Sequence, residues 1–418
     1  VLAGPPLVWL VRRPAQRLGW KRSLGHGLLL IVGALLVASS ALMLVFQDFA
    51  STMRNHTQLR YLINPLNTVY GLAHLAAKPL RMDTRTLAPM GRDARLGASY
   101  TDQKQPPILV LVLGETGRSG NFALNGYARP TTPLLSARSD ISSARNAWSC
   151  GTSTAASVPC MFSHLGRKDF DDRKTNYENL LDVLHHAGLA VLWVDNQAGC
   201  KGVCDRVASA STAASPDPVL CAGGECQDTL LLKDLDQRIA ALPADQRTRG
   251  VVVVLHQMGS HGPAYYKRSL PAQKRFKPEC ETNALQECSR EQVVNAYDNS
   301  VVATDLMLDS TINWLQARYP QAPTAMIYVA DHGESLGENN LYLHGLPYAI
   351  APDVQKHVPW ITWLSPAMQQ RTHIAMACLQ RDLRDRPISH DNYFDSVLGL
   401  MDVQTSAYRP HEDIFKDC

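Results

Sequence analysis

The sequence predicts an α/β sandwich over residues 107–418, tethered to an N-terminal membrane helix. Three observations predict it. Five continuous apolar runs, at 108–113, 189–194, 250–255, 325–329 and 358–364, lack polar alternation, the pattern of parallel strands covered on both faces. Helix-like stretches separate them, among them 178–186 and the long 291–318. Ahead of these, residues 24–46 are uncharged and almost wholly apolar.

At ~1.5 Å per residue, that first segment forms a helix of roughly 34 Å, enough to cross a ~30 Å hydrocarbon core. A secretory signal is the competing reading. The run is too long for one, and no small-x-small cleavage site closes it before Gln47-Asp48-Phe49. Arg12, Arg13, Arg17, Lys21 and Arg22 precede the span with no acid among residues 1–46. That flank is expected in the cytoplasm, with everything after Phe46 across the membrane. The chain opens on Val1, and residues 1–11 (VLAGPPLVWLV) read as the tail of another apolar segment. Residues 1–46 are therefore expected to be the end of a truncated transmembrane domain.

Residues 47–82 mix aromatics, Leu and Arg, as expected of interfacial helices on the membrane surface. Residues 83–106 carry Pro, Gly, Asp and Arg without apolar periodicity and read as a linker. From 107 onward 28 basic side chains face 34 acidic ones, in a chain whose net charge is +3. No basic domain-wide surface exists, which excludes nucleic acid as a partner.

Ten cysteines suit an oxidising compartment. Four close pairs can be drawn: Cys150/Cys160, Cys200/Cys204, Cys221/Cys226 and Cys280/Cys288. Cys378 and Cys418 remain to pair with each other. No two pairs have the spacing of a closed zinc finger.

In an α/β sheet, ligands gather beyond the carboxyl ends of the strands. Polar groups fall there: Glu115 after the first run, Asp195-Asn196 after the second, His256-Gln257 after the third, Asp331-His332 after the fourth. The segment Ser149–Cys160 adds hydroxyls between two cysteines, with Thr154 at a predicted helix start. Glu115, Thr154, Asp331 and His332 then offer three oxygens and one nitrogen, a set suited to tetrahedral Zn²⁺. A threonine hydroxyl is a poor nucleophile until a metal or a base activates it. A helix N-terminus would also supply N–H donors to an anion. Thr152 and Ser153 are rival nucleophiles on these grounds.

His256, His261 and His344 form a second group. Phosphoryl transfer needs cations for the non-bridging oxygens and an acid for the leaving alkoxide, and histidine supplies both near neutral pH. Lys201 is a candidate phosphate holder, against the plain alternative of an exposed loop lysine. His164, His185, His186, His357 and His390 lack such company and read as structural or surface residues.

The stretches LVLGETGRSGNFALNGYARPTTPLL, SCGTSTAASVPCMFS, HQMGSHGPAYYKR and DHGESLGENNLYLHG resemble the lipid A phosphoethanolamine transferases, including the mobile colistin-resistance type. These belong to the alkaline phosphatase/sulfatase superfamily. RNHTQLRYLINPLN resembles the membrane-proximal helices of the same family. The resemblance implies an α/β/α sandwich catalytic domain in the periplasm, anchored in a Gram-negative inner membrane. It implies Zn²⁺ held by Glu115, Thr154, Asp331 and His332, with Thr154 accepting phosphoethanolamine. His261 and His344 would contact substrate or a second zinc, with His256 and Lys201 nearby. Gln197, where some relatives carry Asn, is expected against the donor headgroup. The implied donor is phosphatidylethanolamine and the acceptor a lipid A phosphate, with the chain acting as a monomer. Two other readings compete: a tethered phosphatase or sulfatase using water as acceptor, and a non-catalytic disulfide-rich ectodomain.

Overall fold

A computed structural model describes residues 20–45, 57–62, 64, 67–69, 71–72, 87–212, 215–221 and 225–418. The chain divides into two units, Val1–Asn67 and Thr68–Cys418.

In the first unit, Trp20–Leu44 is a single helix, α1, with no acidic residue in its first turn and none in its sequence. Its Leu, Ile and Val side chains are exposed along its length. A helix apolar all round and unburied matches a lipid-facing span. The expected interfacial helices of 47–82 fall mostly outside the described residues; within them Thr57–Leu62 is a short 3-10 helix.

The second unit is built on one eight-stranded sheet. Its strands are β1 (Ile108–Gly114), β2 (Ile141–Trp148), β3 (Ala190–Asp195), β4 (Ala208–Ser211), β5 (Val251–His256), β6 (Thr324–Ala330), β7 (His357–Leu364) and β8 (Ile388–Ser389). They lie in the order β8-β2-β7-β6-β1-β5-β3-β4. Every residue of β1, β3, β5 and β6 is buried, which requires cover on both faces. Helices supply it, above all Arg290–Arg318, whose Val293, Ala296, Tyr297, Val301, Leu308, Ile312 and Leu315 recur at helical spacing. Ser289 and Gln292 close its N-terminus in a capping box.

Three features depart from expectation. β7 runs antiparallel to both β6 and β2; a continuous apolar run reports burial on two faces but carries no direction. β2 (ISSARNAW) was not anticipated, because only half its residues are buried and no apolar run marks it. The linker stretch is docked over its described part: Leu87–Ala88 pairs with Asn176–Tyr177, and Arg95–Leu96 with Val403–Gln404.

Five disulfides join Cys150–Cys160, Cys200–Cys204, Cys221–Cys226, Cys280–Cys288 and Cys378–Cys418, the pairs drawn from spacing.

Candidate metal centre and nucleophile

Parallel pairing of β6, β1 and β5 brings three strand ends together. Glu115 follows β1, and Asp331-His332 follows β6. Asp331 N donates to Gly114 O (2.8 Å), and Thr116 N donates to Asp331 Oδ1 (3.0 Å). The turn after β5 presses against Glu115. At Gly259, with φ +52°, a Cβ would lie 2.5 Å from Glu115 O, so only glycine fits there.

Glu115, Asp331 and His332 are all buried, with one ligand atom from each lying within 4.8 Å of the others. His332 Nε2 is 3.3 Å from Glu115 Oε1 and 3.4 Å from Asp331 Oδ2. Its Nδ1 faces Gly333 O at 2.8 Å; a proton on Nδ1 leaves Nε2 as the ligand atom. Thr154 is the first residue of the helix Thr154–Met161. Its Oγ1 donates to Glu115 Oε2 at 2.9 Å and lies 3.5 Å from His332 Nε2. The rival hydroxyl of Thr152 donates instead to Leu346 O at 2.5 Å.

The electrostatics call for a cation at this point. Burial opposes charge on His332, yet Asp331 and Glu115 draw its pKa up to about 10. Burial also resists ionising Glu115; the hydrogen bond to His332 and the charges of His332, His261 and His344 hold it well below the ordinary range. Asp331 is pushed up by burial and by the Glu115 carboxylate beside it. Asp331 Oδ2 is buried without a hydrogen-bond partner. An orphaned carboxylate oxygen facing an imidazole nitrogen, a second carboxylate and a hydroxyl fits a tetrahedral divalent ion. Among the described residues, the other clusters able to hold a metal, Cys200/Cys204/Asp205 and Cys378/Asp382/Cys418, have their sulfurs committed to disulfides.

The three further histidines gather at the same end of the sheet. His344 stacks 4.2 Å from His332, ring centre to ring centre, and His261 lies 6.0 Å from His344. His344 Nδ1 faces Glu334 Oε1 at 3.1 Å. His256, fully buried at the end of β5, faces Asp195 through Nδ1 at 3.0 Å. Burial lowers the pKa of both His261 and His344. Gln197 Nε2 donates to Glu115 Oε2 at 2.8 Å, which puts the side chain on a candidate ligand. Lys201 turns back on its own loop and donates to Ala198 O at 2.8 Å. A cavity of about 530 Å³ opens there, lined by Trp193, Asp195, Gln197 and Lys201 among others.

One supporting residue, Asp228, escapes sequence reasoning. Asp228 accepts the backbone N–H groups of Met258 and Gly259 and the amide of Asn196, and so shapes the turn that carries His256 and His261. Nothing in its sequence context signals this. His390 is structural as expected, but it lies beneath the site: Cys150 N donates to Nδ1, and Nε2 reaches Ala330 O, both at 3.0 Å.

Residues 107–403 match the Sulfatase family model, and residues 1–80 match the model for phosphoethanolamine transferase EptA/EptB. Phosphoethanolamine transferase EptA of Salmonella typhimurium is 42% identical over 100% of this chain and 75% of its own length. Phosphatidylethanolamine transferase Mcr-1 of Escherichia coli is 38% identical over 91% of this chain and 70% of its own. Among solved structures, the integral membrane protein lipooligosaccharide phosphoethanolamine transferase A of Neisseria meningitidis superposes with a TM-score of 0.79. It is 38% identical, over 99% of this chain and 76% of that one.

Proposed function

The chain belongs to the phosphoethanolamine transferase family, within the alkaline phosphatase/sulfatase superfamily, and from that premise we propose that it moves phosphoethanolamine from phosphatidylethanolamine to a phosphate of lipid A through Thr154. The observation that carries this reading is the Thr154 hydroxyl, 2.9 Å from Glu115 and 3.5 Å from His332 in a buried acid–histidine triad.

Glu115, Asp331, His332 and Thr154 would hold one Zn²⁺, which lowers the pKa of the hydroxyl and neutralises phosphoryl oxygens. Thr154 Oγ1 attacks phosphorus, the bond to diacylglycerol breaks, and the departing alkoxide takes a proton from the histidine group. A lipid A phosphate then attacks the same phosphorus and frees Thr154. The start of its helix offers backbone N–H groups to the phosphoryl oxygens. Gln197 and Lys201 border the cavity, which has room for the donor headgroup.

Both substrates are lipids, which gives α1 its purpose. Lys21 and Arg22 at its start favour a cytoplasmic N-terminal side, leaving 107–418 as the periplasmic catalytic domain of an inner-membrane protein, where disulfides persist. The added amine offsets negative charge on lipid A and weakens its attraction for cationic polymyxins such as colistin.

Phosphatidylethanolamine labelled in its headgroup tests the reading. The chain is expected to deliver label to lipid A, and Thr154→Ala to deliver none. Label released only as free phosphoethanolamine, with lipid A present and unlabelled, would identify a hydrolase and overturn it.

A further inference from the structure

We infer that Asp195 is a positioning residue that acts through His256, keeping Nε2 of that ring unprotonated and able to carry the proton exchanged in transfer. The inference rests on the function proposed above.

Asp195 is the last residue of β3, and four donors converge on its carboxylate. Oδ2 accepts from Trp193 Nε1 (2.9 Å) and faces His256 Nδ1 (3.0 Å); Oδ1 accepts from the backbone N–H of Gln197 (2.8 Å) and of Gly199 (3.2 Å). Only an ionised carboxylate can accept from all four. Burial opposes that charge, but the hydrogen bonds from His256, Trp193 and Gly199 offset it, and the pKa of Asp195 is lowered. The consequence falls on His256. Its neutral ring has one proton, and Asp195 holds it on Nδ1. The edge of Trp193 fixes the ring from the side, with centroids 5.2 Å apart.

Nε2 is then a bare lone pair. The residue has no exposed surface, and Nε2 has no hydrogen-bond partner among the described residues. A buried acceptor left without a donor is costly, and such atoms concentrate where a ligand or proton is handled. The register puts His256 opposite Leu113, two residues before Glu115. The Asp195 carboxylate also orients the backbone of Gln197, whose side chain grips Glu115.

In each half-reaction one proton leaves the attacking oxygen and one reaches the departing oxygen. Thr154 gives up a proton and diacylglycerol gains one; the lipid A phosphate then gives one up and Thr154 regains it. Nε2 carries that proton, and Asp195 stabilises the transient imidazolium.

Variants of the whole chain in detergent, assayed with phosphatidylethanolamine and lipid A, test this. Trp193→Phe removes one donor from Asp195 and serves as the background against which the cost of a further change is read. Adding Asp195→Asn sets an amide N–H against Nδ1 and drives the ring proton to Nε2; kcat is expected to fall 10–100-fold with KM little changed. His256→Asn keeps a donor toward Asp195 but has no Nε2, and is expected to be as slow. In that background Asp195→Asn should cost nothing more, a non-additivity that a purely structural aspartate would not produce. The proposal is overturned if Asp195→Asn stays within 3-fold of Trp193→Phe, if its cost persists in His256→Asn, or if His256→Asn keeps wild-type kcat. Wild-type protein that transfers label but never carries it on Thr154 would instead bring down the underlying reading, and this inference with it.

Discussion

His390 makes the stability of the catalytic unit depend on pH in a calculable way. The ring is 1% exposed and uses both nitrogens, accepting from Cys150 N at Nδ1 and donating from Nε2 to Ala330 O. It thereby ties the segment leading to Thr154 to the strand end that bears Asp331. Protonating Nδ1 would set two donors against each other. Burial accordingly lowers the pKa from 6.5 to about 4. In the unfolded chain the histidine titrates near 6.5. Between these values the unfolded state binds a proton that the native state refuses. The contribution is therefore complete above pH 6.5 and is lost as pH falls toward 4. A 2.5-unit separation at 1.36 kcal/mol per unit amounts to about 3 kcal/mol, or roughly 4–5 °C in Tm for a unit of this size. Gln offers an acceptor oxygen and a donor nitrogen but does not titrate. Thermal melts of the chelated full chain from pH 7.5 to 4.5 should show wild type losing stability relative to His390→Gln by most of this amount. Two curves that stay parallel over that range would refute the reasoning.

Three further outcomes are expected. Gly259→Ala would force a left-handed Ala (φ +52°) against Glu115 O; it should cost at least about 1–2 kcal/mol in a denaturant melt and weaken metal binding in a titration with Zn²⁺. Glu115→Gln removes a ligand charge, and Zn²⁺ affinity in the same titration should fall by more than the ~10–100-fold typical of an outer partner. Cys378→Ala with Cys418→Ala opens a loop spanning 40 residues; the chain-entropy estimate is about 4 kcal/mol, read as a lower urea midpoint with transfer activity retained.

The parts of this protein legible in the sequence are those where burial on two faces left only apolar residues. Runs such as Val251–Leu255 announce a central strand, and the acids and histidines just beyond them announce the site. β2 was hidden because Ser142, Ser143, Arg145 and Asn146 interrupt any apolar run, and the direction of β7 is a tertiary property. Residues 87–106 look like a linker because two-residue ladders impose no periodicity. At the site, Glu115, Thr154, Asp331 and His332 carry recognisable chemistry and converge. Asp195 and His256 are 61 residues apart, and Asp228 acts through backbone N–H groups, so neither pairing leaves a trace in local sequence.

The central claim is that the hydroxyl of Thr154, and no neighbour, becomes the nucleophile. Intact mass of the full chain after exposure to phosphatidylethanolamine without lipid A, followed by peptide mapping, addresses it directly. One added phosphoethanolamine located on Thr154, lost when lipid A is supplied, is the expected result. The same adduct on Thr152 or Ser153 would contradict the account.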